Sequence, residues 1–246
     1  MTETLPAPTL ASGPITLALD IGGSGLKAGR LDQNGALIGT NLRIATPHPS
    51  PPNVVVPALT GMANSLGSFQ RVSVGFPGVV RAGRVLTAPN LGTKDWAGFD
   101  LGGTLHELLG VPVRVENDAT VQGLGVISGK GLECVITLGT GFGFALYDNG
   151  RVAPHLEISQ HVIRGRRTYD EYLGVKAYEK VGRKHWNRRV QRMLVQLRTL
   201  VNFDRLYIGG GDASQVTGEL PADVQIVSNK AGLTGGVQLW NEANLP

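Results

Sequence analysis

Short apolar runs that end at glycines recur along the chain, and each is typical of a buried strand followed by a tight turn. The first, Ile15 to Ile21, is apolar except for Thr16 and Asp20, and glycine fills three of the next four positions. A second such run ends at Leu138 and is followed by a glycine-rich turn at 139–143. These two strand–turn–strand units lie about 120 residues apart, which suggests an internal duplication.

The remaining segments complete an α/β pattern. Helical spacing of apolar residues predicts helices at 54–66, 119–127, 186–201 and, at the end of the chain, 232–240. One face of the third helix carries Trp186, Val190, Met193, Leu194, Leu197 and Val201. Further strands are predicted at 36–45, 71–76, 111–117, 205–209 and 224–227, with two short strands within 79–87.

The first glycine turn carries groups that suit phosphoryl transfer. Asp20 ends the strand, and a carboxylate there can hold Mg²⁺. The backbone amides of the turn, Ser24 and Lys27 can hold phosphate. An ordinary β-hairpin with a glycine-rich turn explains the same residues, because short glycine motifs also match by chance.

A second polar pair, Asn117-Asp118, falls where a predicted strand meets a predicted helix. Asp118 is compatible with a simple helix cap, since Asp and Asn satisfy the first free N–H groups of helices. The functional interpretation is that the amide and the carboxylate grip neighbouring sugar hydroxyls and that the carboxylate accepts a proton from the attacking hydroxyl.

Composition narrows the classes of protein that fit. The chain has 246 residues, of which 41% are hydrophobic and 17% charged, which is typical of a globular protein. No apolar run approaches the ~18 to 20 residues of a membrane helix, and Met1 to Pro14 lacks signal-peptide features, so we expect a cytoplasmic protein without a membrane partner. The single cysteine, Cys134, excludes an intrachain disulfide and a cysteine-built structural zinc site.

The net charge of +4 is concentrated in one segment, 164–205. It holds twelve basic residues against four acidic ones; the basic residues are Arg164, Arg166, Arg167, Lys176, Lys180, Arg183, Lys184, Arg188, Arg189, Arg192, Arg198 and Arg205. Such a segment attracts a polyanion or forms a solvated helix face. No nucleic-acid-binding motif accompanies it, so we expect no nucleic-acid partner.

Taken together, the motifs resemble those of ROK-family sugar kinases, and most of all the polyphosphate glucokinase branch. The resemblance spans Ile15 to Trp240. The matching segments, in family order, are Asp20-Ile21-Gly22-Gly23-Ser24-Gly25 with Lys27, Gly75-Phe76-Pro77-Gly78, Glu116-Asn117-Asp118-Ala119, Leu138-Gly139-Thr140-Gly141-Phe142-Gly143 and Ile208-Gly209-Gly210-Gly211.

The resemblance implies an α/β fold of the actin, hexokinase and Hsp70 superfamily, in which two ribonuclease-H-like lobes flank a cleft. Each lobe is expected to contain a mixed five-stranded sheet with helices. We predict a smaller N-terminal lobe at 13–118 and a larger C-terminal lobe at 119–231, with the terminal helix, 232–246, packing back on the first. A homodimer is also implied.

The resemblance further assigns roles to individual residues. Asp118 matches the general base that takes the proton of the sugar 6-hydroxyl, and Asp20 matches a residue near Mg²⁺ that contacts it indirectly. The predicted sugar-binding residues are Asn90, Asn117, Asp118, Glu157, Gln160 and His161. The predicted phosphate- or nucleotide-binding residues are Asp20, Gly22, Gly23, Ser24, Lys27, Thr140, Gly141, Gly209, Gly210 and Gly211.

The implied reaction is transfer of a terminal phosphoryl group from ATP or inorganic polyphosphate to the 6-hydroxyl of glucose or a related hexose, with Mg²⁺ as cofactor. One segment departs from the family. Gln160 stands where a sugar-binding histidine is expected, and His161 is adjacent to it; a second glutamate expected downstream has no counterpart at Val162 and Ile163. A catalytically weak or inactive sugar-binding member of the family is therefore the alternative.

Overall fold

The computed structural model describes residues 13–228 and 231–244. Its strands are β1 (Thr16–Ile21), β2 (Gly25–Leu31), β3 (Leu37–Ala45), β4 (Arg71–Phe76), β5 (Val80–Arg81), β6 (Arg84–Val85), β7 (Val113–Asn117), β8 (Leu132–Leu138), β9 (Phe142–Asp148), β10 (Arg151–Val152), β11 (Val162–Arg164), β12 (Arg167–Thr168), β13 (Arg205–Gly209) and β14 (Val224–Ile226). Its α-helices are α1 (Pro52–Ser65), α2 (Thr93–Trp96), α3 (Leu101–Leu109), α4 (Asp118–Leu124), α5 (Tyr169–Leu173), α6 (Val175–Val201) and α7 (Ala231–Thr234).

Two five-stranded sheets with the same connectivity form the body of the molecule. The first has the order β3-β2-β1-β4-β7 and the second the order β10-β9-β8-β13-β14. In each sheet, the central strand pairs antiparallel with the strand that follows it in the chain. On its other side it pairs parallel with a later strand, and a second parallel strand is added beyond that one. The predicted α/β fold with two mixed five-stranded sheets is confirmed, and the two glycine-turn hairpins occupy equivalent places.

Strand register brings the predicted polar residues to one edge of the first sheet. Asp20 on β1 is paired with Gly75 on β4, and Phe76 is paired with Asn117 at the end of β7. The carboxyl ends of parallel strands form a common edge, where α/β folds place ligands. Gly75 has no side chain to separate its neighbours: a Cβ there would lie 3.4 Å from Asp118 Cα and 3.7 Å from Asp20 Oδ1.

Each sheet is covered by helices on its outer face. The first packs against α1 and α3, and its core includes the fully buried Trp96. The second packs against α5 and α6, and the predicted apolar face of α6 from Trp186 to Leu197 is buried, whereas Val201 is half-buried. Helix α6 begins earlier than predicted and is interrupted at Gly182, whose φ of 72° is not helical.

Between the two sheets lies α4, against which the end of the chain packs. The predicted continuous terminal helix is replaced by α7 and two 3₁₀ turns, Gly235–Trp240 and Glu242–Asn244; residues 245 and 246 of the predicted segment lie outside the described residues. Trp240 lies between the guanidinium groups of Arg71 and Arg114, at 5.1 and 4.6 Å, and its Nε1 donates a hydrogen bond to Ser73 Oγ. The C-terminal segment therefore joins the first sheet to α4.

The predicted lobe boundary between residues 118 and 119 falls at the start of α4. Since α4 contacts β4 as well as β8 and β9, this boundary stays a prediction. Within the described residues, no helix is both long enough and apolar enough to cross a membrane.

Candidate active site

A cleft between the two sheets gathers most of the predicted site residues. The predicted residues on its walls are Asp20, Gly22, Gly23, Lys27, Asn90, Asn117, Asp118, Thr140, Gly141, Glu157, Gly210 and Gly211. His155, Ser159 and Asp170 also line it, although the sequence did not single them out. Gln160 and His161, both predicted to bind sugar, are exposed and do not line this cleft.

The strand-to-helix corner at β7 and α4 fixes Asp118. Asn117 is the N-cap of α4: its Oδ1 accepts hydrogen bonds from the backbone N–H groups of Ala119 and Thr120, at 3.0 and 3.2 Å. Its Nδ2 donates to Gly78 O at 3.2 Å, which ties the corner to the turn after β4. Capping is thus performed by Asn117, and Asp118 is left as the first helical residue with its carboxylate at the cleft.

The pKa of Asp118 is raised to about 7: burial is the largest cause, the nearby carboxylates of Asp20 and Glu157 add to it, and the N–H of Ala119 works in the opposite direction. The hydrogen bond from Ala119 N to Asp118 Oδ1 is 2.8 Å long. A carboxylate with a pKa close to neutrality can take a proton from a hydroxyl more readily than an ordinary aspartate.

The first glycine turn is a tight hairpin with a hollow beside it. Gly22 N donates to Gly25 O at 2.9 Å, which closes the turn. A Cβ at Gly23 would lie 3.3 Å from the Cβ of Asn90 and 3.4 Å from Thr140 Cγ2, so a glycine here keeps the space between the lobes open. Phosphate needs such close access to backbone N–H groups.

Two side chains near the first turn, Ser24 and Lys27, contact groups on the walls of the cleft. Ser24 Oγ and Thr140 Oγ1 are 2.8 Å apart and share a hydrogen bond, so the two predicted phosphate turns touch each other. Lys27 Nζ lies 2.7 Å from Asp20 Oδ2. The pair places one cation and one carboxylate on the wall that faces Asp118.

The second glycine turn is held by α5, α6 and the third glycine segment. Phe142 N donates to Asp170 Oδ1 at 2.6 Å, and Val175 N at the start of α6 donates to Gly139 O at 2.8 Å. Gly210 has a φ of 90°, and a side chain there would overlap Leu138 O. Gly210 and Gly211 line the cleft beside this turn, whereas Gly209 lies behind them, against the Gln122 side chain.

The segment after β10 provides the other wall. Glu157 accepts a hydrogen bond from Ser159 Oγ, and its Oε2 is 3.5 Å from His155 Nε2. Burial would raise the pKa of Glu157, but the neighbouring His155 and the hydrogen bond from Ser159 outweigh burial and hold the pKa below its usual value. Glu157 is therefore ionised at neutral pH and can accept hydrogen bonds from hydroxyl groups.

Gln160 is directed toward protein groups instead of the cleft. Its Nε2 donates to Asp170 Oδ2 at 3.0 Å and to Ser159 Oγ at 3.1 Å, because the 3₁₀ turn Ile158–Gln160 rotates it away from Glu157. Asp170 supplies a carboxylate that the sequence analysis did not find downstream of Glu157. The place of Asp170 in the cleft depends on how α5 packs under the second turn, which no local pattern reveals. His155 could have been found from its spacing, because it lies two residues from Glu157 along an extended segment and such a spacing puts both side chains on one side.

The residues present fit a Mg²⁺ ion held mainly by phosphate and water. No group of three or more His, Cys, Asp or Glu suited to a metal exists within 13–228 and 231–244, so an all-protein cage is absent there. Asp20 can instead contribute one carboxylate, which is the usual protein share in Mg²⁺ sites that also carry substrate phosphates. Burial is the main cause of the raised pKa of Asp118, and the charges of Asp20 and Glu157 add to it, so a cation is favoured in this part of the cleft.

The molecule has two lobes of the same topology. Each lobe contributes a glycine turn to a cleft that also holds an aspartate with a raised pKa. These features define a protein of the actin-like phosphotransferase class. The chain belongs to the ROK family: the family model, described as "ROK family", matches residues 16–154. This match confirms the resemblance to ROK-family sugar kinases that the motifs indicated.

Relatives agree with this assignment. The polyphosphate glucokinase of Mycobacterium tuberculosis is 32% identical, with 96% of each chain covered. The inorganic polyphosphate/ATP-glucomannokinase of Arthrobacter sp. strain KM superimposes with a TM-score of 0.84 at 29% identity, covering 92% of this chain and 98% of that one. A ROK-family glucokinase of Streptomyces griseus, determined with glucose and AMPPNP, has a TM-score of 0.76 at 21% identity over the same shares and supports the fold.

Proposed function

We propose that this protein is a sugar kinase that transfers the terminal phosphoryl group of inorganic polyphosphate or ATP to the 6-hydroxyl of glucose or a related hexose. The observation that carries the proposal is the position of Asp118, a carboxylate with a pKa of about 7 that lies between two glycine turns and an ionised Glu157. The similar proteins named polyphosphate glucokinase and polyphosphate/ATP-glucomannokinase support the same reaction.

In this mechanism the chain's own residues position the reactants and move one proton. Glu157, Asn90 and the corner at Asn117 hold the sugar. Asp118 takes the proton of the 6-hydroxyl as the hydroxyl oxygen attacks the terminal phosphorus, and the bond from this phosphorus to the bridging oxygen breaks to release ADP or the shortened polyphosphate. The backbone N–H groups of both glycine turns hold the donor in line with that hydroxyl. Mg²⁺, held by phosphate oxygens and by Asp20 through water, would neutralise charge on the transferring group.

The two turns touch through the exposed Ser24–Thr140 hydrogen bond, and in this mechanism the lobes close over the bound substrates so that water is excluded. Exclusion matters because water competes with the sugar for the phosphoryl group.

The basic segment supports polyphosphate as a donor, and the structure divides it into two clusters. The first, which we call the distal cluster, consists of Arg183, Lys184 and Arg188 on the outer side of α6, beside residues 217–219. Arg183 Nε donates to Gln215 O, in the turn that follows Gly209–Gly211. A long anion leaving the phosphate turns past these glycines would meet the distal cluster next.

The second, which we call the tyrosine cluster, surrounds Tyr172. Arg189 lies 4.6 Å from the Tyr172 ring, and Arg192 donates to its hydroxyl at 2.8 Å. Burial lowers the pKa of Arg189, and the nearby charges of Arg164 and Arg167 lower it further, whereas Tyr172 has the opposite effect. Arg188 and Arg189 thus belong to different faces of α6, and we assign polyphosphate to the distal cluster.

The donor assignment predicts a selective loss. We expect the Arg183→Gln, Lys184→Gln, Arg188→Gln triple variant to raise the KM for polyphosphate about tenfold, or ~1.4 kcal/mol, while the KM for ATP changes much less. Steady-state kinetics with both donors at fixed low salt measures this. The matched control is a triple Gln variant of the tyrosine cluster at Arg164, Arg167 and Arg192; equal losses for both donors in the distal variant would contradict the assignment.

The reaction itself is tested with a panel of hexoses, each offered with polyphosphate and with ATP in the presence of Mg²⁺. We expect ³¹P NMR to identify a hexose 6-phosphate as the product. Sugar binding without turnover for every combination would favour the alternative, a weak or inactive sugar-binding protein, for which Gln160 in place of a histidine is the supporting observation. A cytoplasmic location and a homodimer remain part of the proposal.

A further inference from the structure

His155 is a buried imidazole that has no hydrogen-bond partner among the described residues. Its side chain is 10% exposed, and neither Nδ1 nor Nε2 reaches solvent or a bonding partner. The ring nevertheless lines the cleft, in the extended segment between β10 and the 3₁₀ turn at Ile158–Gln160. Because a buried polar group left unpaired is costly, the position of this imidazole calls for a partner in another state of the molecule.

The surroundings of His155 are acidic. Glu157 Oε2 is 3.5 Å from Nε2, which is longer than a good hydrogen bond. His155 also acts electrostatically on Glu116 at the end of β7: burial raises the pKa of Glu116, and the Asn117 N–H and His155 work against that rise. A small inward movement of the Glu157 segment would convert the long contact into a hydrogen bond.

Resting on the sugar-kinase function proposed above, we propose that His155 is a positioning residue for the sugar: it donates a hydrogen bond from Nε2 to Glu157 when a hexose fills the cleft. Ser159 Oγ holds the other oxygen of the same carboxylate. With both oxygens anchored, Glu157 presents its remaining lone pairs in one fixed direction, toward two adjacent hydroxyl groups of the ring.

This assignment explains how the site dispenses with a histidine at position 160. Gln160 is exposed and donates to Ser159 and Asp170, so it braces the back of the turn. His155, in contrast, lies beside the carboxylate of Glu157.

The test separates sugar positioning from a general structural role. In His155→Ala we expect the KM for glucose to rise about tenfold while the KM for the phosphoryl donor stays within about twofold, since the two substrates occupy different walls. In His155→Gln we expect much of the loss to be restored, because the amide N–H can donate to Glu157 as Nε2 does. Leu156→Ala, a neighbouring substitution at a 48% exposed side chain, is the matched control.

Three results would overturn the inference: an unchanged glucose KM in His155→Ala, an equal rise in the KM of both substrates, or no recovery in His155→Gln. A thermal melt of each variant identifies a folding defect separately. Calorimetric titration of glucose into the wild type and His155→Ala keeps the inference testable if no hexose is phosphorylated. In that case weaker glucose binding by the variant upholds the role of His155 while the kinase function fails.

Discussion

The donor side and the sugar side of the cleft are built in different ways. The proposed donor side consists of two hairpin turns at equivalent places in two sheets of the same topology, and we propose that its backbone N–H groups bind the phosphates. The sugar side is an irregular segment around Glu157, and its groups are side chains that brace one another. In the proposed function, phosphate recognition thus depends on glycine and strand geometry, whereas sugar recognition depends on a few individual residues.

On the donor side, a large effect is expected from filling the space beside the first glycine turn. A Gly23→Val side chain would contact Asn90 and Thr140 and occupy the space kept for phosphate, so we expect kcat/KM for the donor to fall about 100-fold, or ~2.7 kcal/mol. Steady-state kinetics measures the loss. Gly61→Ala in α1, where a Cβ meets nothing within 4 Å, is the control and should retain activity; a Gly23→Val enzyme with wild-type kinetics would place the donor elsewhere.

The pH dependence follows from the raised pKa of Asp118. A general base must be ionised, so kcat/KM for the sugar should reach a plateau above about pH 7 and fall about tenfold per pH unit below it. A pH profile of initial rates with saturating donor measures this. An acid limb centred near pH 4, the range of an ordinary aspartate, would contradict the assigned environment.

The same environment has a cost in stability. Asp118 binds its proton more tightly in the folded state than in the unfolded state, where its pKa is near 3.8, so folding stability falls as pH rises from about 4 to 7. We expect Asp118→Asn to raise the free energy of unfolding at pH 8, by at most ~4 kcal/mol. Urea unfolding of both proteins at pH 8 and pH 4 measures it, and a gain that does not shrink at pH 4 would speak against this cause.

The donor side of the cleft could be predicted from the sequence more fully than the sugar side. Asp20, the two glycine turns and the Asn117-Asp118 corner follow from strand ends, because the carboxyl edge of a sheet is set by local patterns. The strands themselves follow from apolar patterns, whereas their arrangement in two five-stranded sheets was expected from the family resemblance. Helix α3 was missed, since Gly102 and Gly103 weaken its helical pattern, while its N-cap, Asp100, accepts a hydrogen bond from Gly103 N.

The sugar side resisted prediction because its geometry is tertiary. Gln160 and His161 occupy the expected stretch of sequence, yet a 3₁₀ turn directs them outward. Asp170 and His155 reach the cleft from α5 and from an extended segment that has no periodic pattern. The end of the chain also differed, since close packing of Gly235 against Val121 O and of Gly236 against Ser73 favours a compact 3₁₀ path over a regular helix.

The central claim is that Asp118 is the group that activates the sugar hydroxyl, and one measurement tests it most directly. Glucose binding and single-turnover phosphoryl transfer are compared in the wild type and in Asp118→Asn, an uncharged side chain of the same shape. We expect glucose to bind with similar affinity and the rate of transfer to fall by ~10² to 10⁴. Transfer at the wild-type rate in Asp118→Asn would contradict the account.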